Sequence, residues 1–548
     1  MLQGGKGVNG TLAIQIGKEQ LVNGIEGFAG GTTRISTDSS GAQANGYSAV
    51  NAISADGRYL LFHSDATNLV SGDSNAVRDG FIKDTLTGVT TRVTTSSAGA
   101  QGNGASTITS ISADGRFVVF LSDATNLVSE DTNGAKDAFV KDLISGSTTR
   151  VNTTSTGGQT GGVTPYGANP AVVSGDGRYV AFSSTDSTLV SGDTNGVADV
   201  FIKDILTGLT TRVSVDSSGN QSNGFAGVEA LSPDGRFVQL YSEATNLVTG
   251  DTNGSFDVFV KDTITGKMTR VSTNSAGVEG NGDSFSNGAS ADGRYITFGS
   301  QSSNLISGDT NGMYDAFVKD TVSGTTIALN VDSTGAAGNG HSVPRGISAD
   351  GRYVTFESTS SNLVAGDTNG VQDVFRRDLL NGEVIRLSVD SAGNQGTSAS
   401  YAAALSANGR FVAFFSDASN LVAGDSNGVR DSFLRDLTRT GVQVLAGIIV
   451  SDQVSAKITL TSVQSARTEL LDARSKLGAA TSRIQSFLNT IESARINYQT
   501  ASARITDADV ADEVSKSLGA GIRQKVGAAL LAQANQAPQI ALALLKNA

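Results

Sequence analysis

The phrase D-x-N-x-x-x-D occurs seven times in this chain, from Asp73/Asn75/Asp79 to Asp425/Asn427/Asp431. Alternating carboxylate and amide oxygens in a tight, mostly Gly-containing loop could hold a hard cation such as Ca²⁺. The spacing is shorter than that of an EF-hand loop, and the bidentate Glu that closes such a loop is missing. The competing reading is an Asx turn, in which Asp and Asn side chains cap their own backbone. In that reading the second Asp pairs with the Arg of a nearby S-x-D-G-R phrase. Seven copies of either arrangement point to stabilisation rather than catalysis.

Other reactive groups are few. The chain has two histidines, His63 and His341, and no cysteine. The positions equivalent to His63 in the other repeat units are Leu121, Ser183, Tyr241, Gly299, Glu357 and Phe415, so the slot accepts any side chain. His341 falls in a loop between two units. Neither histidine has a partner for zinc, and H-E-x-x-H, G-x-S-x-G and P-loop motifs are absent. The carboxylate pairs recur in every unit, with no break in the repeat to mark a catalytic centre. The expectation is therefore no enzyme, no catalytic residue, no metal and no cofactor, with a glycosidase-type enzyme as the catalytic alternative.

Composition agrees with a protein of many short strands. In 548 residues there are 66 Gly, 5 Pro and 6% aromatics, which suits tight Gly/Asn/Asp turns. A net charge of −12 repels phosphate backbones, so nucleic acid is not an expected partner. No apolar stretch is long enough for a membrane-spanning helix, and no membrane partner is expected. The first residues, MLQGGKGVNG, lack the basic and apolar regions of a Sec-type signal peptide. An extracellular destination requires a route without a cleaved signal.

The elements that carry these residues repeat. S-x-D-G-R-aromatic recurs around Asp56, Asp114, Asp176, Asp234, Asp292 and Asp350, with Asn408 in the last copy. The steps between them are regular, and a fixed period in this range signals a solenoid or a propeller. Each unit offers about four strand-like segments and no helical pattern, which predicts an all-β, seven-bladed propeller over 29–447. The S-x-D-G-R-[YF] opening resembles the bacterial TolB/WD40-like propeller repeat, a resemblance that implies fold and not function. Thr32-Thr33-Arg34-Ile35 matches the second half of a unit without a first half, and the seventh unit lacks that phrase after Asp436. The two half-units are expected to complete one blade and close the ring.

After about Gly447 the pattern becomes helical. Small or apolar residues fall alternately three and four apart, at positions including Val463, Leu470, Leu477, Ile484, Phe487, Ile491, Tyr498 and Ile505. This is a heptad seam on a helix roughly 60 Å long. Too few helical residues remain in the chain to cover it, so these eight positions are the expected subunit interface. A second helical stretch is expected from about Val510 to Gln536. It is followed by Pro538 and an apolar end, Ile540–Leu545, of the kind that marks an interaction surface.

The segments SKLGA (475–479), SARITDAD (502–509), EVS (513–515) and LAQANQAPQ (531–539) resemble the C-terminal domain of bacterial flagellin over about 453–545. The resemblance implies a helical 448–548 domain that assembles with identical or other flagellin subunits. It also implies export through the flagellar type III apparatus with an export chaperone. The stretch at 2–17, within a short segment 1–28, resembles the end of the flagellin N-terminal region. The long N-terminal helices of that family are not in this sequence, and the expectation is that they are missing through truncation. The expected function is a flagellar filament subunit serving motility, extracellular, with the propeller in place of the variable domain. The rival is a surface-displayed module binding glycan, protein or calcium.

Overall fold

The structure is a computed structural model that describes residues 31–164, 170–437 and 512–531. The chain divides into two compact units, Met1–Arg439 and Thr440–Ala548. The eight seam positions from Val463 to Ile505 lie outside the described residues.

Within the first unit, seven four-stranded antiparallel sheets follow one another as blades. Blade I consists of Ser48–Ile53, Tyr59–Ser64, Asp79–Asp84 and Thr90–Arg92, termed strands a to d. Blades II to VI repeat this order, starting at Ser106, Ala171, Ala226, Ser284 and Ser342. Each a strand touches the a strands of both neighbouring blades, so the a strands form a closed ring. The architecture is the seven-bladed propeller that the period predicts.

Closure also follows the split repeat. Blade VII takes strands a to c from Ser400–Leu405, Phe411–Ser416 and Asp431–Asp436. Its fourth strand is Thr32–Arg34, paired in the register Thr32↔Arg435, Thr33↔Leu434 and Arg34↔Phe433. The T-T-R phrase absent after Asp436 is thus supplied from the other end of the domain.

The S-x-D-G-R-aromatic phrase acts as a clip between blades. In blade I, Asp56 accepts hydrogen bonds from the Ser54 hydroxyl (2.6 Å) and the Arg58 amide (3.0 Å), which fixes the a–b turn. Arg58 forms a forked pair with Asp84 at 3.0 and 2.7 Å and lies over its own Tyr59 ring. The Tyr59 ring presses on Gly115 of blade II, where an added Cβ would come within 2.3 Å of it. Gly115 also has φ +77°, a conformation that excludes most side chains. The same contact runs round the ring and closes at Gly57 against Phe411.

A circle of backbone hydrogen bonds joins these turns. Ala55 N donates to Ala113 O, Ala113 N to Gly175 O and Gly175 N to Pro233 O; Ala291 N donates to Ala349 O, Ala349 N to Ala407 O and Ala407 N to Ala55 O. The step from Pro233 to Ala291 has no such bond, because proline carries no N–H. Inside six of the blades, a Phe on strand b stacks on its cross-strand Phe on strand c, as in Phe62–Phe81 and Phe414–Phe433, both at 5.5 Å. These rings are fully buried and supply the largest apolar contribution to each blade core.

In the second unit, residues 512–531 form a helix, within the span expected for the second helical stretch. Val514, Leu518, Ile522, Val526 and Leu530 recur every fourth residue, and each is more than half exposed. Residues at this spacing form one continuous ridge along a helix surface. Among the described residues, no helix is long and apolar enough to cross a membrane.

Candidate functional site

The repeated aspartates sit where strands c and d meet the outer loop. In blade I, Arg92 of strand d reaches both Asp73 (3.7 Å) and Asp79 (3.4 Å). Gln101 Nε2 donates to Asp73 at 2.8 Å and to Asp79 at 2.7 Å, and the Thr94 hydroxyl donates to Asp79 at 2.9 Å. Asn75 forms the expected Asx turn, accepting from the Val77 amide at 3.1 Å. The aspartate pair is therefore held by a guanidinium and an amide. One expectation is corrected. The Arg of S-x-D-G-R does not pair with Asp79; it pairs with Asp84 at the far end of strand c. The partner of Asp79 is the Arg of T-T-R. Strand geometry decides this, because Asp79 and Asp84 open and close a six-residue strand and so lie at opposite ends of the blade.

Two blades depart from the pattern. In blade IV the Gln is replaced by Glu279, which pairs with Arg270 at 2.5 Å. Asp251, Asp257 and Glu279 each bring a carboxylate oxygen within 4.8 Å of the others, with Arg270 paired to all three. Burial, reinforced by the neighbouring Asp257 charge, pushes the Asp251 carboxyl up. In blade V the Arg and Gln positions are Ala328 and Ala337. Asp315 accepts there from two amides, Asn330 at 2.5 Å and Asn311 at 3.2 Å, with no guanidinium at the Arg position. Burial raises its carboxyl to about 6.

The inner channel is a second candidate. Its wall is not uniform, contrary to the expectation of an unbroken repeat. Strand a carries a register shift in six blades, which takes one residue out of the ladder in each: Asn51, Thr109, Glu229, Asn287, Arg345 and Ala403. Bulges re-aim side chains, and all six line a cavity of about 250 Å³ at the end of the channel nearer the a–b turns. Asn51, Asn287, Arg345 and Ala403 also line a second cavity of about 220 Å³, together with Tyr401 and Phe415.

The slot of His63 supports this ring of bulged residues. His63 Nδ1 lies 2.7 Å from Asn51 Oδ1, and its ring stacks on Tyr47. Burial lowers His63 to about 4, so it is neutral at physiological pH. In the same slot Glu357 holds Arg345 at 2.5 Å, and Phe415 stacks on Tyr401 with centroids 5.2 Å apart. In two blades the occupant of this slot thus holds the bulged residue of its own blade, His63 with Asn51 and Glu357 with Arg345. His341 Nδ1 accepts from the Tyr314 amide at 2.9 Å, a structural contact. In the aligned units these residues fall in one column of strand a, which changes character from blade to blade, but its flanking positions vary as well.

Two solved structures are similar to part of this chain. Oligogalacturonate lyase from Vibrio parahaemolyticus is similar with a TM-score of 0.43 and 13% identity, covering 75% of this chain and 94% of that one. TolB from Acinetobacter baumannii is similar with a TM-score of 0.31 and 16% identity, covering 62% and 65%.

The second unit is described by its sequence relatives. Residues 460–545 match the family of the bacterial flagellin C-terminal helical region. A flagellin of Halalkalibacterium halodurans is 31% identical over 115 residues, 20% of this chain and 42% of that protein. The flagellar filament 41 kDa core protein of Borreliella burgdorferi is 35% identical over 97 residues, 18% and 29% of the two chains. A Salmonella muenchen flagellin is 39% identical over 87 residues, 16% and 17%. This chain thus spans less than half the length of each of these relatives.

Proposed function

We propose that the chain is a structural subunit of a bacterial flagellar filament, extracellular and without enzymatic activity, in which the propeller stands in place of the variable outer domain. The observation that carries this reading is the flagellin match at 460–545. Two features of the fold are consistent with it. The chain enters and leaves the propeller at neighbouring points, since Asp436 N donates to Gly31 O at 3.1 Å; such a domain can be inserted into another protein without spreading its ends. The helix at 512–531 presents an exposed apolar ridge, and helices of this kind acquire their stability from a packing partner. The partners are other copies of the chain or other flagellin subunits, with a flagellar export chaperone before assembly. The seam from Val463 to Ile505 is the proposed contact, and motility the proposed use.

The test is assembly. Purified full-length protein, alone and mixed with a flagellin from the same cell, is compared by sedimentation with protein lacking 453–548. Sedimentable polymer that requires 453–548 supports the reading. Monomeric behaviour of both proteins under both conditions overturns it.

A further inference from the structure

From the geometry of the channel we infer that the propeller has a binding site for an uncharged, hydroxyl-rich ring, that is, a neutral sugar unit. The inference belongs to the first unit and does not rest on the filament reading.

The site is the cavity of about 220 Å³ lined by Asn51, Asn287, Arg345, Tyr401, Ala403 and Phe415, a space suited to one sugar ring and its substituents. Its polar groups come from three blades. They enter the channel because strand a is bulged at Asn51, Asn287 and Arg345. The equivalent residues Thr109, Glu229 and Ala403 are smaller or differently charged, so among the described residues the site occurs once in the ring. Such a departure from sevenfold repetition is what one asymmetric ligand requires.

The chemistry of the wall selects the ligand. Two primary amides and a guanidinium are planar groups that offer donors and an acceptor together. A hydroxyl both donates to an amide oxygen and accepts from an amide or guanidinium N–H, so one kind of group answers every polar side chain on this wall. On another side of the cavity lie the stacked rings of Tyr401 and Phe415, with Arg430 over both at 4.5 and 5.3 Å. An aromatic wall beside planar amides suits a ring with apolar C–H faces and polar edges.

Charge decides against anions. Arg345 is already paired with Glu357, and Glu229 lies on the same channel wall. An incoming phosphate or carboxylate finds no uncommitted cation there, and it meets the field of the carboxylates. An uncharged ligand avoids both costs.

Saturation-transfer NMR on the full-length protein tests this with glucose, galactose, mannose and N-acetylglucosamine, against galacturonate and inorganic phosphate. The expected result is transfer to at least one neutral sugar at millimolar concentration, and none to galacturonate or phosphate. N287A should weaken that sugar by about tenfold, equivalent to ~1.4 kcal/mol. A403F fills the cavity from its small-residue side without removing a polar group, and it should abolish the signal. This keeps the test decisive if N287A fails to fold. Absence of transfer to every neutral sugar, transfer that survives A403F unchanged, or equal transfer to galacturonate overturns the inference.

Discussion

Arg34 and Asp431 form an ion pair at 3.3 Å, although they lie at opposite ends of the propeller sequence. Arg34 also reaches Asp425 at 3.4 Å, and its side chain is 10% exposed. The pair repeats in blade VII the Arg92–Asp79 contact of blade I, but here it joins a strand from the start of the domain to strands from its end. One ion pair thus serves both as blade packing and as ring closure.

Replacing Arg34 with alanine removes the cation and leaves Asp425 and Asp431 buried together. Breaking one partner of a buried pair costs roughly 3–5 kcal/mol. R34A is expected to lower the urea midpoint of the propeller by a corresponding amount. R78A, which removes an ion pair with Asp65 whose side chains are 37% and 44% exposed, should change it by less than about 1 kcal/mol.

Blade V gives a pH prediction. Burial raises the Asp315 carboxyl from 3.8 to about 6 in the folded protein. A group with a raised folded value holds its proton more tightly when folded, so its contribution is fully present below about 3.8 and is lost as pH rises through 6. The size is on the order of 3 kcal/mol. D315N should therefore remove part of the loss of stability between pH 4 and 6, measured as a difference from wild type by urea unfolding at each pH. The double variant A328R/A337Q restores the cation and amide found in blade I, and it should raise stability at neutral pH.

The clip between blades predicts a large effect from a small change. A methyl group at Gly115 would come within 2.3 Å of the Tyr59 ring, at a φ of +77°. Overpacking costs about 1–3 kcal/mol, and a left-handed conformation for a side-chain-bearing residue adds roughly 1–2 kcal/mol. G115A should lower the thermal midpoint clearly. G88A, at a similar φ of +75° with nothing within 4 Å, should show the backbone cost alone.

The exposed ridge at 512–531 separates assembly from folding. L518D and I522D place charge on residues that are 65% and 56% exposed. The propeller melting transition should stay where it is, while any sedimentable polymer is lost. Polymer that survives both changes would assign the ridge no part in assembly.

Much of the propeller was legible because its signals are local and repeated. The period, the four strand segments per unit and the split last unit could be read from S-x-D-G-R and T-T-R alone, and the Asx turn at Asn75 from its residue types. The partner of Asp79 was not, because two arginines per unit have the right charge and only the strand pairing decides which one lies beside it. The channel ring was missed for a different reason. A bulge at Asn287 or Arg345 leaves no mark in composition, and the exchange of His63 for Glu357 reads as tolerance until the bulged neighbour of each is known. The helix at 512–531 falls within the second helical stretch expected from about Val510 to Gln536.

The three-residue strand Thr32–Arg34 has a mechanical meaning. Its first residue pairs with Arg435, close to where the last strand ends, so the chain arrives and departs at the same end of this pair. Tension between those two points peels the strand off one hydrogen bond at a time instead of shearing all of them together. The side-chain ties from Arg34 and Ser36 to Asp431 lie at the far end of that peel and carry load last. Under flow or pulling, the propeller has a defined place to open: its closing strand, with six blades still intact behind it.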